Sequence, residues 1–297
     1  MIPGAGRPEI AINPALRILK AEDTLCGCVI TGTDKVRSGY GNGDCLLFDF
    51  KHRVFAVADG TERFPWASRD LLLRLADCLD RNGSPDTAAE WRDLIHREVY
   101  AAQKFQHKTT FSCAALHGGG DGTGMVIAHG GDCAVMIVDS ATGAVSFQTG
   151  RDMNFAGRSR VIDDVSLHRL TGRGLRVVMA TDGFNDLVKF CVSRSLFSGA
   201  EEVFAAWPVD RICERIHGVL DEFRGGFEYD DIGLLAFDPF RTADIGPEKI
   251  LIGGTRPHEE TRFRRDPGAG SNGRWVAHRD WAAHGEEFAG AGILVVP

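Results

Sequence analysis

The sequence predicts an α+β fold built on antiparallel sheets. Three observations carry that expectation. Strand-like runs and helix-like stripes come in blocks and do not alternate strictly. The strand-like runs are short and apolar or β-branched, and tight turns divide them. Glycine is abundant, at 36 of 297 residues, which suits a chain of many turns.

The elements follow in order. CGCVITGT, from Cys26, is a candidate strand, and Cys26 and Cys28 point to one face of it. Asp44–Phe50 and Arg53–Asp59 are two more strands, and only Lys51 and His52 part them, so they form a hairpin. After Pro65 the period changes. Leu71, Leu72, Leu75 and Leu79 recur at helical spacing until Asn82-Gly83 stops them. Ser84-Pro85 opens a second helix, serine as cap and proline in its first turn. Its stripe is Trp91, Leu94, Ile95, Val99, Ala102 and Phe105.

Strands then return as TTFSCAALH, GMVIAHG and CAVMIVDS, with a hairpin around Ala141 to Ser146. LRVVMAT is the next strand, and a short helix is expected over Phe184 to Phe190. Pro208 opens an amphipathic helix with Val209, Ile212, Cys213, Ile216, Val219, Leu220 and Phe223 as its stripe, ended by Gly225-Gly226. DIGLLAF is a strand. After about Phe240 the texture changes. Residues 256–273 are charged and carry Gly and Pro, as an excursion or linker would, and AGILVVP at the end is apolar enough to rejoin a sheet.

Composition bounds the function. A hydrophobic fraction of 43% supports a sizeable core. A net charge of −7 with mixed signs argues against a nucleic-acid binder, which would show a basic face. No run approaches the roughly 20 apolar residues of a membrane span, and the N-terminus has no apolar stretch of signal-peptide length. The eight cysteines form no regular framework, and no His/Cys pair stands at zinc spacing from Cys26 and Cys28. Together these point to a soluble cytoplasmic protein with buried thiols.

Four acids stand out: Asp44, Asp59, Asp182 and Asp230 each sit at an end of a predicted strand. An Asp-Gly after a strand is also an ordinary turn, and each alone reads that way more readily than as a ligand. Strand ends at one edge of a sandwich meet in space, however. Carboxylates gathered there repel one another unless protonated or neutralised by cations. Their hard oxygens suit Mg²⁺ or Mn²⁺, and a pair of such ions can activate water for attack on phosphorus.

The combination resembles the metal-dependent serine/threonine phosphatases, the PPM or type 2C family, and suggests a divergent bacterial-type member. VFAVADG (Val54 to Gly60) is similar to the family's strand ending in Asp-Gly. TTFSCAAL resembles its Thr-Thr-led strand, and GGDCAV (Gly130 to Val135) its Gly-Asp-Ser-Arg turn. VVMATDGFNDLV resembles the strand, Asp-Gly and apolar helix that follow, and DDIGLLAF the last Asp-Asn strand. The motifs keep the family's order from about residue 24 to 238.

The resemblance implies a four-layer α-β-β-α sandwich, two antiparallel sheets flanked by helices. It implies a phosphatase domain over residues 24–240 and a C-terminal extension over 241–297, packed on the same domain or beside it. It implies two Mn²⁺ or Mg²⁺ ions and a possible third. Asp59 would bridge the two metals, Gly60 would bind one through its carbonyl, and Asp182 and Asp230 would complete the shell of the second ion, with Asp231 as the neighbour one place along. Asp132 resembles the aspartate of the third ion, and Asp44 the acid that holds metal-bound water. Arg37 is the nearby candidate to grip the substrate phosphate. The implied reaction is hydrolysis of a phosphomonoester on a phosphorylated protein, at phosphoserine or phosphothreonine, by a metal-bridging hydroxide.

This chain departs from the pattern on the substrate side. Gly43 stands where the family has Glu, Thr61 where many members have His, and Cys133 and Ala134 where Ser and Arg are usual. Gly43 and Thr61 favour a rival reading, a pseudophosphatase that binds a phosphoprotein without turnover. A weaker third is an enzyme on a small phosphorylated metabolite. Other polar residues read as structural: His96, His107, His117 and His129 as satisfied histidines, Arg158 and Arg160 as a solvated loop, Arg264 as part of a charged face. Trp66 and Trp91 read as core.

Overall fold

The computed structural model describes residues 8–100, 107–118, 123–158, 162, 164–172, 174–265, 274–284 and 292–297. The chain begins with three strands, β1 (Ala11–Asn13), β2 (Ile18–Ala21) and β3 (Leu25–Ile30), and a short helix, α1 (Thr33–Ser38). The hairpin β4 (Asp44–Asp49) and β5 (Val54–Asp59) follows, then α2 (Ala67–Asn82) and α3 (Ala88–Leu94), which runs on into a π-helical turn (Ile95–Val99). Six strands come next: β6 (Phe111–His117), β7 (Gly124–Gly130), β8 (Ala134–Asp139), β9 (Val145–Gln148), β10 (Asp164–Arg169) and β11 (Leu175–Ala180). Helices α4 (Asp182–Ser193), α5 (Ala200–Ala206) and α6 (Ile212–Glu222) precede β12 (Ile232–Phe237). Beyond residue 240 lie β13 (Lys249–Gly253), α7 (Pro257–Arg265), β14 (Val276–Ala277), α8 (His278–His284) and β15 (Leu294–Val296).

These strands make two sheets. One runs β14-β1-β2-β3-β12-β11-β8-β9, the other β10-β7-β6-β5-β4-β13-β15. Neighbours pair antiparallel except β13 and β15, which are parallel. The expected α+β architecture of two largely antiparallel sheets flanked by helices is therefore the observed one. Alternating faces of each strand feed three apolar layers. Leu71, Leu72, Leu75 and Leu79 of α2, with Trp91, pack on Leu47, Ala56 and Cys113 of the second sheet. Leu46, Phe55 and Val57 meet Val29, Val177 and Phe237 between the sheets. Phe184, Phe204, Ile212 and Ile216 of α4–α6 cover Cys28, Val178 and Leu234 on the outer face of the first sheet.

Several boundaries differ from expectation. The helix placed after Ser84-Pro85 starts at Ala88, because Thr87 and Glu90 close a reciprocal capping box. Ala102 and Phe105 of its predicted stripe lie outside the described residues. The helix expected over Phe184 to Phe190 extends to Asp182–Ser193. The helix after Pro208 begins only at Ile212, since Pro208–Arg211 closes a turn first. The charged stretch after Arg256 is helical over α7. Trp91 is buried, whereas Trp66 is half-exposed, set edge-on to Phe64. All eight cysteines are free and buried, and Cys26 Sγ lies 2.8 Å from Cys213 Sγ. Among the described residues no helix is long and apolar enough to cross a membrane.

The middle layer depends on one glycine. A β-carbon at Gly27 would run into the Phe48 ring, so the Cys-Gly-Cys strand leaves room for that ring between the sheets. Phe48 meets Phe55 edge-on, and Phe55 stacks on Phe237 with ring centroids 4.2 Å apart. Phe55→Ala is expected to cost about 3–5 kcal/mol of stability, read as a lower urea midpoint at unchanged slope.

Candidate functional site

The hairpin register sets Asp44, the first residue of β4, directly opposite Asp59, the last of β5. Side chains so paired stand on one face, with β-carbons about 5 Å apart. In the other sheet β11 pairs with β12. Asp182 follows the end of β11 by two residues, and Asp230 precedes the start of β12 by two. All four acids therefore come to one end of the sandwich, at the middle of both sheets.

Neighbouring hydroxyls and glycines fix this edge. Thr181 Oγ1 donates to Asp44 Oδ2 at 2.7 Å and accepts from the Gly233 amide at 2.9 Å, so Asp44 of one sheet is held by the other. Thr109 Oγ1 donates to the Asp59 carbonyl at 2.5 Å, and Thr110 Oγ1 accepts from the Asp59 amide at 2.9 Å. The Thr-Thr pair thus clamps the backbone of Asp59. Gly183 has no side chain because a β-carbon there would collide with the Asp231 carbonyl. Gly183 thus serves close backbone approach as well as a turn. Gly60 is tied by its amide to the Gly43 carbonyl at 2.8 Å.

The two adjacent aspartates differ sharply. Asp231 is buried and its carboxylate accepts from the amides of Gly32 and Gly43, each at 2.7 Å. Asp230 is 55% exposed and holds Lys35 at 3.3 Å. Asp231 is thus occupied with backbone, while Asp230 faces the other acids. Asp132 stands in the turn between β7 and β8, and its charge acts on both Asp59 and Asp182.

Burial, then the charges of Asp182, Asp231, Asp230 and Asp132, push the Asp59 carboxyl well above its usual range. Burial, then Asp59 and Asp231, does the same to Asp44. Burial, then Asp132 and Asp230, raises Asp182. Burial raises Asp231 to about 7, against the two amide hydrogen bonds that favour its charge. These acids share one field.

Lys35, from α1, is the cation at their edge. Its side chain is 9% exposed, and Nζ lies 3.3 Å from Asp230 Oδ1 and 3.4 Å from Glu62 Oε1. Arg151 also acts on Asp182. Arg37 is placed elsewhere: it is 60% exposed and engages Asp34 and Glu228. Helix geometry explains this, since Arg37 lies two residues from Lys35 and so on another face of α1.

The donor set suits a hard divalent cation. Several carboxylates converge, Asp44 and Asp231 buried and Asp59 and Asp182 partly so, and Asp59 lies beside the Gly60 carbonyl. Among the described residues no three such side chains are already drawn to metal-holding distance. Gly43 has no room for the acid usual in the family, because a β-carbon there would stand 2.5 Å from the Gly60 carbonyl oxygen and 3.2 Å from Asp59 Oδ1. Cys133 is buried at 2.7 Å from Thr110 Oγ1. The histidines are engaged away from the acids: His96 with the backbone of Ile162, His107 stacked on Phe64, His129 on Ser112 Oγ at 2.8 Å.

Sequence reasoning passed over Lys35, Arg151, Thr181 and the two amides that hold Asp231. Only Thr181 had a signal, as the residue before Asp182-Gly183. Lys35 belongs to a six-residue helix with no stripe to mark it.

The chain matches no protein-family model, and no curated protein matches it significantly. Solved structures do match. One is a bacterial serine phosphatase, at 16% identity over 72% of this chain and 97% of that one, with a TM-score of 0.52. Another is the PP2C phosphatase domain, with a fragment of the regulatory domain, of the cell-fate determinant SpoIIE from Bacillus subtilis, at 14% identity, 77% and 64% coverage and a TM-score of 0.52. A third is the SiaA PP2C domain of Pseudomonas aeruginosa, at 15% identity, 71% and 85% coverage and a TM-score of 0.50. At such identities the likeness is one of fold: the chain has the PP2C-type phosphatase fold.

Proposed function

We propose that the chain is a metal-dependent phosphomonoester hydrolase acting on phosphoserine or phosphothreonine in a protein. The observation that carries this reading is the convergence of Asp44, Asp59, Asp182 and Asp230 on one edge of a PP2C-type fold, with Lys35 beside Asp230. Asp59, the Gly60 carbonyl, Asp182 and Asp230 would hold Mn²⁺ or Mg²⁺, with Asp132 beside them. The ions would supply Lewis-acid stabilisation of the charge that builds on the phosphoryl oxygens.

The chain's own residues do the rest. Thr109 and Thr110 fix the backbone of Asp59, so its carboxylate is aimed without reorganisation. Asp44, locked by Thr181, accepts a hydrogen bond from a water at the site and orients it. Lys35 would meet the anionic substrate, since its ammonium stands beside Asp230 at the edge of the acids and can donate charge-assisted hydrogen bonds to phosphoryl oxygens. This role replaces the one expected of Arg37.

The test is hydrolysis of p-nitrophenyl phosphate and a phosphothreonine peptide, with Mn²⁺ and with EDTA. Turnover is expected only with the metal. Lys35→Ala is expected to raise KM for the peptide about tenfold or more, the scale of one lost charge-assisted hydrogen bond. Arg37→Ala is expected to change it less than about threefold, as a surface substitution does. The absence of room for an acid at Gly43 favours a second reading, a phosphoprotein-binding module. That module binds its partner in EDTA and keeps binding after Asp59→Asn.

A further inference from the structure

Four glycines, Gly32, Gly39, Gly41 and Gly43, make the segment between β3 and β4 flexible by composition. Yet two of its amides, Gly32 and Gly43, must meet Asp231, and its last residues lead into Asp44. Something outside the segment holds it in place. The holder is the start of α7, in the part of the chain that sequence patterning read as an excursion.

Glu260 of α7 is 1% exposed and is the hub. One carboxylate oxygen accepts from the Arg17 guanidinium at 2.5 Å and from Thr255 Oγ1 at 2.8 Å, the other from Thr31 Oγ1 at 2.6 Å. Arg17 is itself buried and lies over the Phe263 ring of the same helix. From this hub the bonds run straight to the acids. Thr255 Oγ1 accepts from the Asn42 amide at 2.8 Å, and Thr31 Oγ1 accepts from the Asn42 side chain at 3.2 Å. Asn42 Oδ1 then accepts from the Asp44 amide at 2.8 Å. The Gly254 amide donates to the Asp44 carbonyl at 2.7 Å. Thr31 and Asn42 are the residues next to Gly32 and Gly43, so both amides on Asp231 are fixed from the same hub.

We infer that Glu260 and Thr255 are positioning residues for the acid site: the buried Arg17–Glu260–Thr255–Asn42 network holds Gly32, Gly43 and Asp44 where Asp231 and Asp59 need them, and so sets the site's affinity for a divalent cation. A charge buried on a C-terminal helix would otherwise be a poor choice for stability alone, since a hydrophobic pair of the same volume serves packing as well. Here each of its partners leads to the site. This inference rests on the metal-dependent reading above.

The test is calorimetric titration of the full chain with Mn²⁺ alone, together with amide exchange over residues 41–44. Glu260→Gln and Thr255→Val are expected to weaken Mn²⁺ about tenfold or more, as loss of an outer partner of a ligand does, and to speed that exchange. Thr255→Ser, which keeps the hydroxyl, is expected to bind within about threefold of wild type. Lys249→Met serves as the structural control. Lys249 is buried against Asp49 at 3.5 Å and beside Asp80, and it pairs with Asp49 at the far end of β4, so its loss lowers the melting temperature without touching the network. Its Mn²⁺ affinity is expected to equal wild type. Wild-type affinity in both Glu260→Gln and Thr255→Val overturns the inference, as does equal weakening in Lys249→Met. A wild-type chain that binds no Mn²⁺ overturns the metal-dependent reading itself, and this inference with it.

Discussion

Asp59→Asn is expected to lower Mn²⁺-dependent hydrolysis on the order of 10³-fold or more, the scale of losing a preorganised electrostatic group, and at the same time to make the metal-free protein more stable. The two effects have one cause. The Asp59 carboxylate is partly buried, and Asp182, Asp231, Asp230 and Asp132 all act against its charge. Asparagine keeps the shape and removes that charge. Replacing a buried, unfavourable charge in this way is expected to gain on the order of 1–4 kcal/mol. At this chain length that is a rise of about 1–2 °C in melting temperature per kcal/mol. Melting scans in EDTA and initial rates in Mn²⁺, on the same preparations, check both halves. An inactive variant that is no more stable would mean the acids do not repel one another as their placement requires. A more stable variant with full activity would remove Asp59 from the chemistry.

Such a trade of stability for function is why the acids were legible in the sequence at all. Asp59 and Asp182 follow apolar runs and Asp44 and Asp230 precede them, and carboxylates gathered at the middle of two sheets break the local rules in the way functional sites do. The hairpin of β4 and β5 was legible because its signal is local, two runs with two residues between them. So was α2, whose four leucines repeat at helical spacing. The boundary after Ser84 failed because two cap signals lie three residues apart, and Thr87 with Glu90 makes two hydrogen bonds where Ser84 would make one. Helix α7 was missed for a deeper reason. Its buried anchor is Glu260, a charged residue held by Arg17, Thr31 and Thr255 from distant parts of the chain. Hydrophobic periodicity cannot register a carboxylate as core. The same blindness hid Lys35, whose partners Asp230 and Glu62 meet it only in the fold, and left Arg37 as the nearby candidate by residue type, though it engages Asp34 and Glu228.

The stability of the metal-free protein is expected to fall, relative to Asp59→Asn, as pH rises from 5 to 8. Asp44 and Asp59 are held well above the usual carboxylate range, first by burial and then by neighbouring acids, and Asp231 is raised to about 7. An acid whose folded pKa is raised binds its proton more tightly when folded. Its contribution is complete below the unfolded value near 4 and is lost as pH climbs through the folded value. For Asp231 that window runs from about 4 to about 7. Partly buried histidines pull the other way: desolvation lowers His117, His168, His217 and His278, so folding gains from them as pH rises toward 6.5. Taking the difference from Asp59→Asn cancels the histidines and leaves Asp59 with its coupling to the neighbouring acids. The expected difference grows by several degrees of melting temperature across the window, a few kcal/mol at about 1–2 °C each. Adding Mn²⁺ is expected to reverse the trend for wild type alone, since a cation that binds the charged acids stabilises the folded chain more as they ionise. A flat difference in EDTA would show that the acids keep their ordinary titration, and that the repulsion read from their placement is relieved within the chain itself.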